Sequence, residues 1–365
     1  MKYYLVAFLL LIGILIAGCA GPSAVSSGGT VSGETLYFVS SSGSLVAMDA
    51  SNGNRLWSLA LEGLQPRATG GACSGPVTVK PAVYGAPQVD GDRIYAAGYS
   101  GQLQAVNATT RTVAWKYPRE GKDRVGPLVG SPVIAEGKVF AGSSDGKVYM
   151  LDGVTGEVLG EFITGGKVWA TVAVADGILY VGSFDKKAYA FNIATKEKLW
   201  EFETGGAVAA SPVVYEGLVY VGSFDRDLYA LGAKDGKEKW RFSAGNWYWG
   251  RPVAHKGVVY VPSLDHKVYA LRAASGEKLA EFDGGSPVSS SPVVVGDNVV
   301  FATEKGTVYL IDTGTMGWRK LYQTVGHIRS PLFARNGVVY VQTQDRNLHA
   351  VEAQSGNKLW AVQTN

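Results

Sequence analysis

Cysteine is nearly absent from this chain: two residues in 365, Cys19 and Cys73, and they are far apart. Histidine is scarce too, and His255, His266, His327 and His349 show none of the convergent spacing that a zinc site requires. Charge of one sign is also missing, since 34 Lys and Arg against 31 Asp and Glu leave a formal +3. No single-sign field exists to attract a polyanion, which excludes nucleic-acid binding driven by bulk charge. Methionine occurs 4 times and no long helical period is visible, so a helix bundle is excluded. What is abundant is glycine, 48 residues, with 46% hydrophobic and only 18% charged residues. Such a chain is too apolar for disorder, and its Gly, Tyr and Val favour strands and tight turns. Serine is frequent, yet no nucleophile elbow and no phosphate-binding P-loop stand out.

The N-terminus reads as an address. Lys2 precedes an uncharged stretch of fifteen residues, Tyr3 to Ala17, too short to span a bilayer as a helix but suited to the apolar core of a secretory signal. The stretch ends in Ile16-Ala17-Gly18-Cys19, which resembles the lipobox of bacterial lipoproteins and implies a diacylglycerol on the Cys19 sulfur. The expected division is a signal peptide over 1–18, a lipidated tether over 19–28 and a folded body over 29–365. Without Lys2 the mature charge is +2. The tether reaches about 16 Å on the scaling of flexible Gly/Ser-rich chains, keeping the body near the membrane surface. With Cys19 acylated, Cys73 has no disulfide partner in the chain and is expected as a free thiol in a small apolar position.

The dominant signal is internal repetition. An aromatic residue in a β-rich segment recurs at Tyr37, Tyr95, Phe140, Tyr180, Tyr220, Tyr260, Phe301 and Tyr340, at intervals of 58, 45, 40, 40, 40, 41 and 39. Each copy holds runs such as Val219-Tyr220-Val221 and Leu228-Tyr229-Ala230-Leu231, separated by turn pairs such as Asp145-Gly146 and Asp235-Gly236. Four antiparallel strands per copy in eight copies describe an all-β, eight-bladed β-propeller. A tryptophan closes most copies, at Trp57, Trp115, Trp200, Trp240 and Trp360, while Gly160, Ala280 and Tyr322 take the place in the others. These five indoles are expected to dock one blade on the next, each burying on the order of 200 Å².

The pattern Tyr-Val-Gly-Ser, Asp, Leu-Tyr-Ala-Leu, Thr/Asp-Gly and Lys-x-x-Trp resembles the PQQ-like (pyrroloquinoline-quinone) β-propeller repeat and covers the chain from about Gly29 to Asn365. A lipobox joined to eight compact repeats without a further domain is most similar to the BamB-type lipoproteins. The resemblance implies support of outer-membrane β-barrel assembly, with a protein partner in the envelope machinery. Without an outer membrane, the same chain would sit on the outer face of the cytoplasmic membrane. Quinoprotein dehydrogenases share the repeat, but they close the quinone under two adjacent bonded cysteines, which this chain lacks. No cofactor and no enzymatic activity are therefore expected. Asp145, Asp185, Asp225, Asp265 and Asp345 hold one equivalent turn position in successive copies, and points spread around a ring cannot converge on one ion.

Identical parts of a ring make the scaffold, and the departures locate function. Two consecutive connections between copies are enlarged, Glu62 to Tyr84, which contains Cys73, and Pro118 to Arg124. Both are expected on one face, turned outward from the anchor. Asn246-Trp247-Tyr248-Trp249-Gly250-Arg251 is a further departure, with Trp169 aligned to Trp249 and Arg329 next to the matching place in the last copy. Trp169, Trp247, Tyr248, Trp249, Arg251 and Arg329 are the candidate partner-binding residues, because aromatic and Arg side chains anchor interfaces. The other reading is a sugar, peptide or quinone site in the central funnel.

Overall fold

The computed structural model describes residues 28–62, 83–119 and 125–364. The lipobox with Cys19, the tether before Gly28, Cys73 with most of the first enlarged connection, and residues 120–124 of the second lie outside the described residues.

In the fifth repeat, Val213–Tyr215, Leu218–Gly222, Asp227–Gly232 and Glu238–Ser243 are strands. Val219 and Leu231 are fully buried on these strands, beside Tyr220 and Ala230, because each middle strand is covered on both faces by neighbouring sheets. The fourth strand, at the outer edge, alternates buried Trp240 with exposed Lys239 and Arg241. Every sheet is built this way from four consecutive strands, giving eight sheets over residues 29–60, 88–117, 133–163, 173–203, 213–243, 253–283, 293–323 and 333–363. These are blades 1 to 8. The first strand of each blade lies beside the first strands of both neighbours, and Gly29–Ser32 meets Phe333–Arg335, so the ring is closed. The eight-bladed propeller expected from the repeats is what the chain forms.

Among the described residues no sheet takes strands from both ends of the chain. Closure rests on side chains: Leu36, Phe38 and Met48 of blade 1 pack on Tyr340, Leu348 and Trp360 of blade 8. The same junction is repeated around the ring. Trp115, Trp200, Trp240 and Trp360 donate Nε1–H to the carbonyls of Gly153, Ala233, Ala273 and Ala50 in the following blade, at 2.9–3.1 Å. The hydroxyls of Tyr95, Tyr180, Tyr220 and Tyr340 donate to the same four oxygens at 3.0–3.2 Å. Each indole then covers a turn glycine: a Cβ on Gly156, Gly236, Gly276 or Gly53 would fall 2.5–2.8 Å from it. Trp57 is the exception among the five, half-buried against Tyr37 at 6.0 Å between ring centres.

Where a small residue replaces the tryptophan, the turn changes with it. Gly160 faces Lys196, which holds the next blade's turn position at φ 63° and lays its stem over the gap. Ala280 faces Met316, at φ 56°, whose sulfur accepts from Tyr260 at 3.9 Å. Four buried indoles thus go with a turn glycine and two small residues with a large turn residue, while half-buried Trp57 precedes a blade whose turn holds Arg111 at φ 58°.

Three alignments need correction. Val300 pairs with Val293 as Tyr260 pairs with Val253 and Tyr340 with Phe333, so Val300 holds the repeat position. Phe301, one residue on, faces the other side of its sheet, because side chains alternate along a strand. Tyr322 pairs with Val308 as Phe282 pairs with Val268, which leaves Lys320, the third residue of its strand, at the tryptophan position. The connection before blade 8 consequently has the ordinary length, and Arg329 stands at the position of Trp169 and Trp249 rather than beside it.

Candidate functional site

Chain direction places two kinds of loop on one face. The connections from a fourth strand to the next first strand end there, and so do the turns between second and third strands. Backbone bonds join them: Phe184, Phe224 and Leu264 donate N–H to the carbonyls of Lys167, Ala207 and Trp247 at 2.9–3.0 Å. Both enlarged connections leave and re-enter on this face, as expected.

The turn aspartates serve this joining. Asp185 Oδ2 accepts from Tyr189 at 2.5 Å and from the Gly165 N–H of the preceding connection at 2.7 Å. Asp225 and Asp265 repeat the arrangement with Tyr229 and Gly205, and with Tyr269 and Gly245, at 2.6–2.8 Å. Burial first, then the adjacent carboxylate, pushes the tyrosine hydroxyls far above their ordinary value. Among the described residues no three His, Cys, Asp or Glu side chains gather to hold a metal ion. One G-x-S-x-G string does occur, Gly142 to Gly146, against the expectation from sequence. It forms a hairpin turn in which Ser144 Oγ donates to the Pro127 carbonyl and accepts from Trp169, so it is no strand-to-helix elbow.

Trp169, Trp247 and Trp249 belong to one aromatic ledge. Trp169 packs on Phe184 with 4.6 Å between ring centres, and Phe184 meets Phe224 edge-on at 6.1 Å. Phe224 carries Trp247 and Trp249 as near-parallel partners, at 4.8 and 5.7 Å. Lys167 lies 5.6 Å over the Trp169 ring. Trp249 is 37% exposed and its ledge partners are partly exposed, so the ledge is open to solvent along blades 4 to 6. The sequence reading missed Phe184 and Phe224, though two Ser-Phe-Asp turns stand where other blades carry Ser144, Leu264 or Glu304.

Tyr248 is not part of the ledge. It is 0% exposed and sits where Val168, Val208, Val288 and Ile328 peg the other connections into the core, so it is a packing residue. Burial pushes its hydroxyl well above the ordinary value. Arg329 is exposed but already paired, 3.2 Å from Glu304.

Arg251 lies elsewhere, in the collar at the channel mouth. Two residues before the partner of each repeat position, Gly28, Ala86, Ser131, Thr171, Ser211, Arg251, Ser291 and Pro331 hold one equivalent place. Hydroxyls stitch this collar from blade to blade: Ala86 N–H donates to Ser131, Ser131 N–H to Thr171, Thr171 N–H to Ser211, and Arg251 N–H to Ser291, all at 2.8–3.0 Å. The Arg251 guanidinium keeps solvent contact, although the surrounding protein lowers its pKa by desolvation. A Cβ on Gly28 would touch Ala86 and Pro331 at 3.3 and 3.4 Å. The chain therefore enters the fold at the channel mouth of the decorated face, not on the opposite side as expected.

The other face carries the turns between first and second strands, with Glu136, Asp176 and Glu216. A cavity of about 310 Å³ opens there, lined by Glu216, Leu218, Tyr220, Lys239 and Ala274. No helix among the described residues is long and apolar enough to cross a membrane.

The chain matches the family described as "Outer membrane protein assembly factor BamB" over residues 20–162, 161–282 and 264–365. No curated protein sequence matches it. Among solved structures it is similar to the computationally designed Ika8 protein, at 15% identity and a TM-score of 0.75, covering 89% of this chain and 95% of that one. It is also similar to BamB from Moraxella catarrhalis, at 18% identity and a TM-score of 0.69, covering 87% and 91%. At these identities the two structures speak for the fold alone.

Proposed function

Since the chain belongs to the family of the outer membrane protein assembly factor BamB, we propose that it is a lipid-anchored, extracytoplasmic scaffold that grips a protein partner with its decorated face. The anchor is the lipid on Cys19, and the partner belongs to the machinery that assembles outer-membrane β-barrels where the cell has an outer membrane. The observation that carries this reading is the solvent-open ledge of Trp169, Phe184, Phe224, Trp247 and Trp249 on an otherwise regular ring. An aromatic patch with an exposed cation at its edge, Lys167, has the composition of an interface core and rim. The scaffold has no catalytic residues in this reading.

Gly28 adds direction. A tether leaving the channel mouth, with a reach of about 16 Å, turns the ledge toward the membrane that holds the lipid. The partner segment bound there lies close to that membrane. In-cell photocrosslinking tests the proposal: a benzoylphenylalanine at Trp249 should capture one envelope protein, and the same residue at Lys234, on the opposite face, should not. Equal capture at both positions, or none at Trp249, would refute it.

A further inference from the structure

The collar has a donor side. Ser131, Thr171, Ser211 and Ser291 each accept a backbone N–H from the preceding blade, which fills one lone pair and leaves the hydroxyl proton to donate. Among the described residues none of these four protons reaches a protein acceptor, and all four side chains are partly open to solvent. Between them stands Arg251, whose guanidinium makes no ion pair or hydrogen bond with a described residue. The five are consecutive, from blade 3 to blade 7, and Pro331, Gly28 and Ala86 make the rest of the collar apolar. No carboxylate occupies any collar position, whereas the turns of the far face carry Glu136, Asp176 and Glu216 beside Lys256 at the equivalent place. The collar thus offers donors with no carboxylate among them, which favours an anion at the decorated end.

We propose that this donor arc is a carboxylate site, and that it takes the free C-terminus of a peptide whose last side chains are apolar. A guanidinium matches a carboxylate with two parallel N–H donors, and neighbouring hydroxyls satisfy the remaining lone pairs. Trp249, two residues before Arg251 in the chain, supplies apolar surface on the same connection. The proposal stands apart from the anchor and from the identity of any scaffold partner.

Calorimetric titration of the full-length protein with N-acetyl-Leu-Leu as free acid, N-acetyl-Leu-Leu amide and sodium acetate tests it. The free acid should bind about tenfold or more tightly than the amide, the loss expected for one charge-assisted pair. Arg251→Gln should abolish that preference while leaving the melting temperature unchanged. Trp249→Ala should weaken the acid but keep the preference. Equal binding of acid and amide, or a preference surviving Arg251→Gln, would overturn the carboxylate site. Acetate binding as tightly as the dipeptide acid would overturn its assignment to a chain terminus.

Discussion

Replacing Gly236 by Ala, alone and together with Trp200→Ala, separates two reasons for a turn glycine. In the native ring Gly236 has φ 65°, and a Cβ would lie 2.6 Å from Cδ2 of the Trp200 indole. Left-handed backbone costs a non-glycine residue about 1–2 kcal/mol. The same turn position holds Arg111, Lys196 and Met316 at φ 58°, 63° and 56° in three other blades, so that cost is tolerated where no fully docked indole covers the turn. Overlap with the ring adds about 1–3 kcal/mol. Trp200→Ala by itself loses packing worth about 3–5 kcal/mol, with the bond to the Ala233 carbonyl included. In the Trp200→Ala background, Gly236→Ala should retain only the backbone cost. Denaturant unfolding followed by circular dichroism should therefore give a coupling of about 1–3 kcal/mol between the sites. Additivity to within about 0.5 kcal/mol would refute the claim that the indole dictates the glycine.

Other expectations follow from the same junctions and loops. Asp225→Ala removes the acceptor of Tyr229, Gly205 and the Asp227 N–H, and should destabilise by about 2–4 kcal/mol in unfolding experiments, with no response to added calcium. Glu201 and Glu281 are each held at a pKa of about 2 by hydrogen bonds from two lysines. A depressed folded pKa gives stability that is complete above the ordinary carboxylate value and is lost as pH falls from about 4.5 to about 2. Both glutamates are about one-third exposed, so screening limits the pairs to about 1 kcal/mol in sum, and a Glu201→Gln/Glu281→Gln variant should flatten that part of the acid profile. Labelling with a clickable fatty acid should be lost on Cys19→Ala.

How much was legible in the sequence follows from what a linear pattern can carry. The forty-residue period, the Tyr-rich strands and the turn glycines are local, so the propeller and its inter-blade tryptophans could be read directly. The slip at Phe301 arose because Val300, an ordinary strand residue, holds the aromatic position and its neighbour is a phenylalanine. Tyr248 misled for the opposite reason: it stands in an aromatic run but plays the part of Val208 and Val288. Phe184 and Phe224 could not be found by comparing connections, since they sit in turns that meet those connections only in three dimensions. The collar was half visible, as Ser or Thr before a strand. Its blade-to-blade bonds were not, because each joins residues about forty positions apart.

The most direct test of the account is which face looks at the membrane. With the lipidated protein on vesicles that carry a headgroup quencher, a fluorophore at Val325, fully exposed on the decorated face, should be quenched strongly, and one at Lys234 should not. Stronger quenching at Lys234 would contradict a tether that leaves through the channel mouth beside the aromatic ledge.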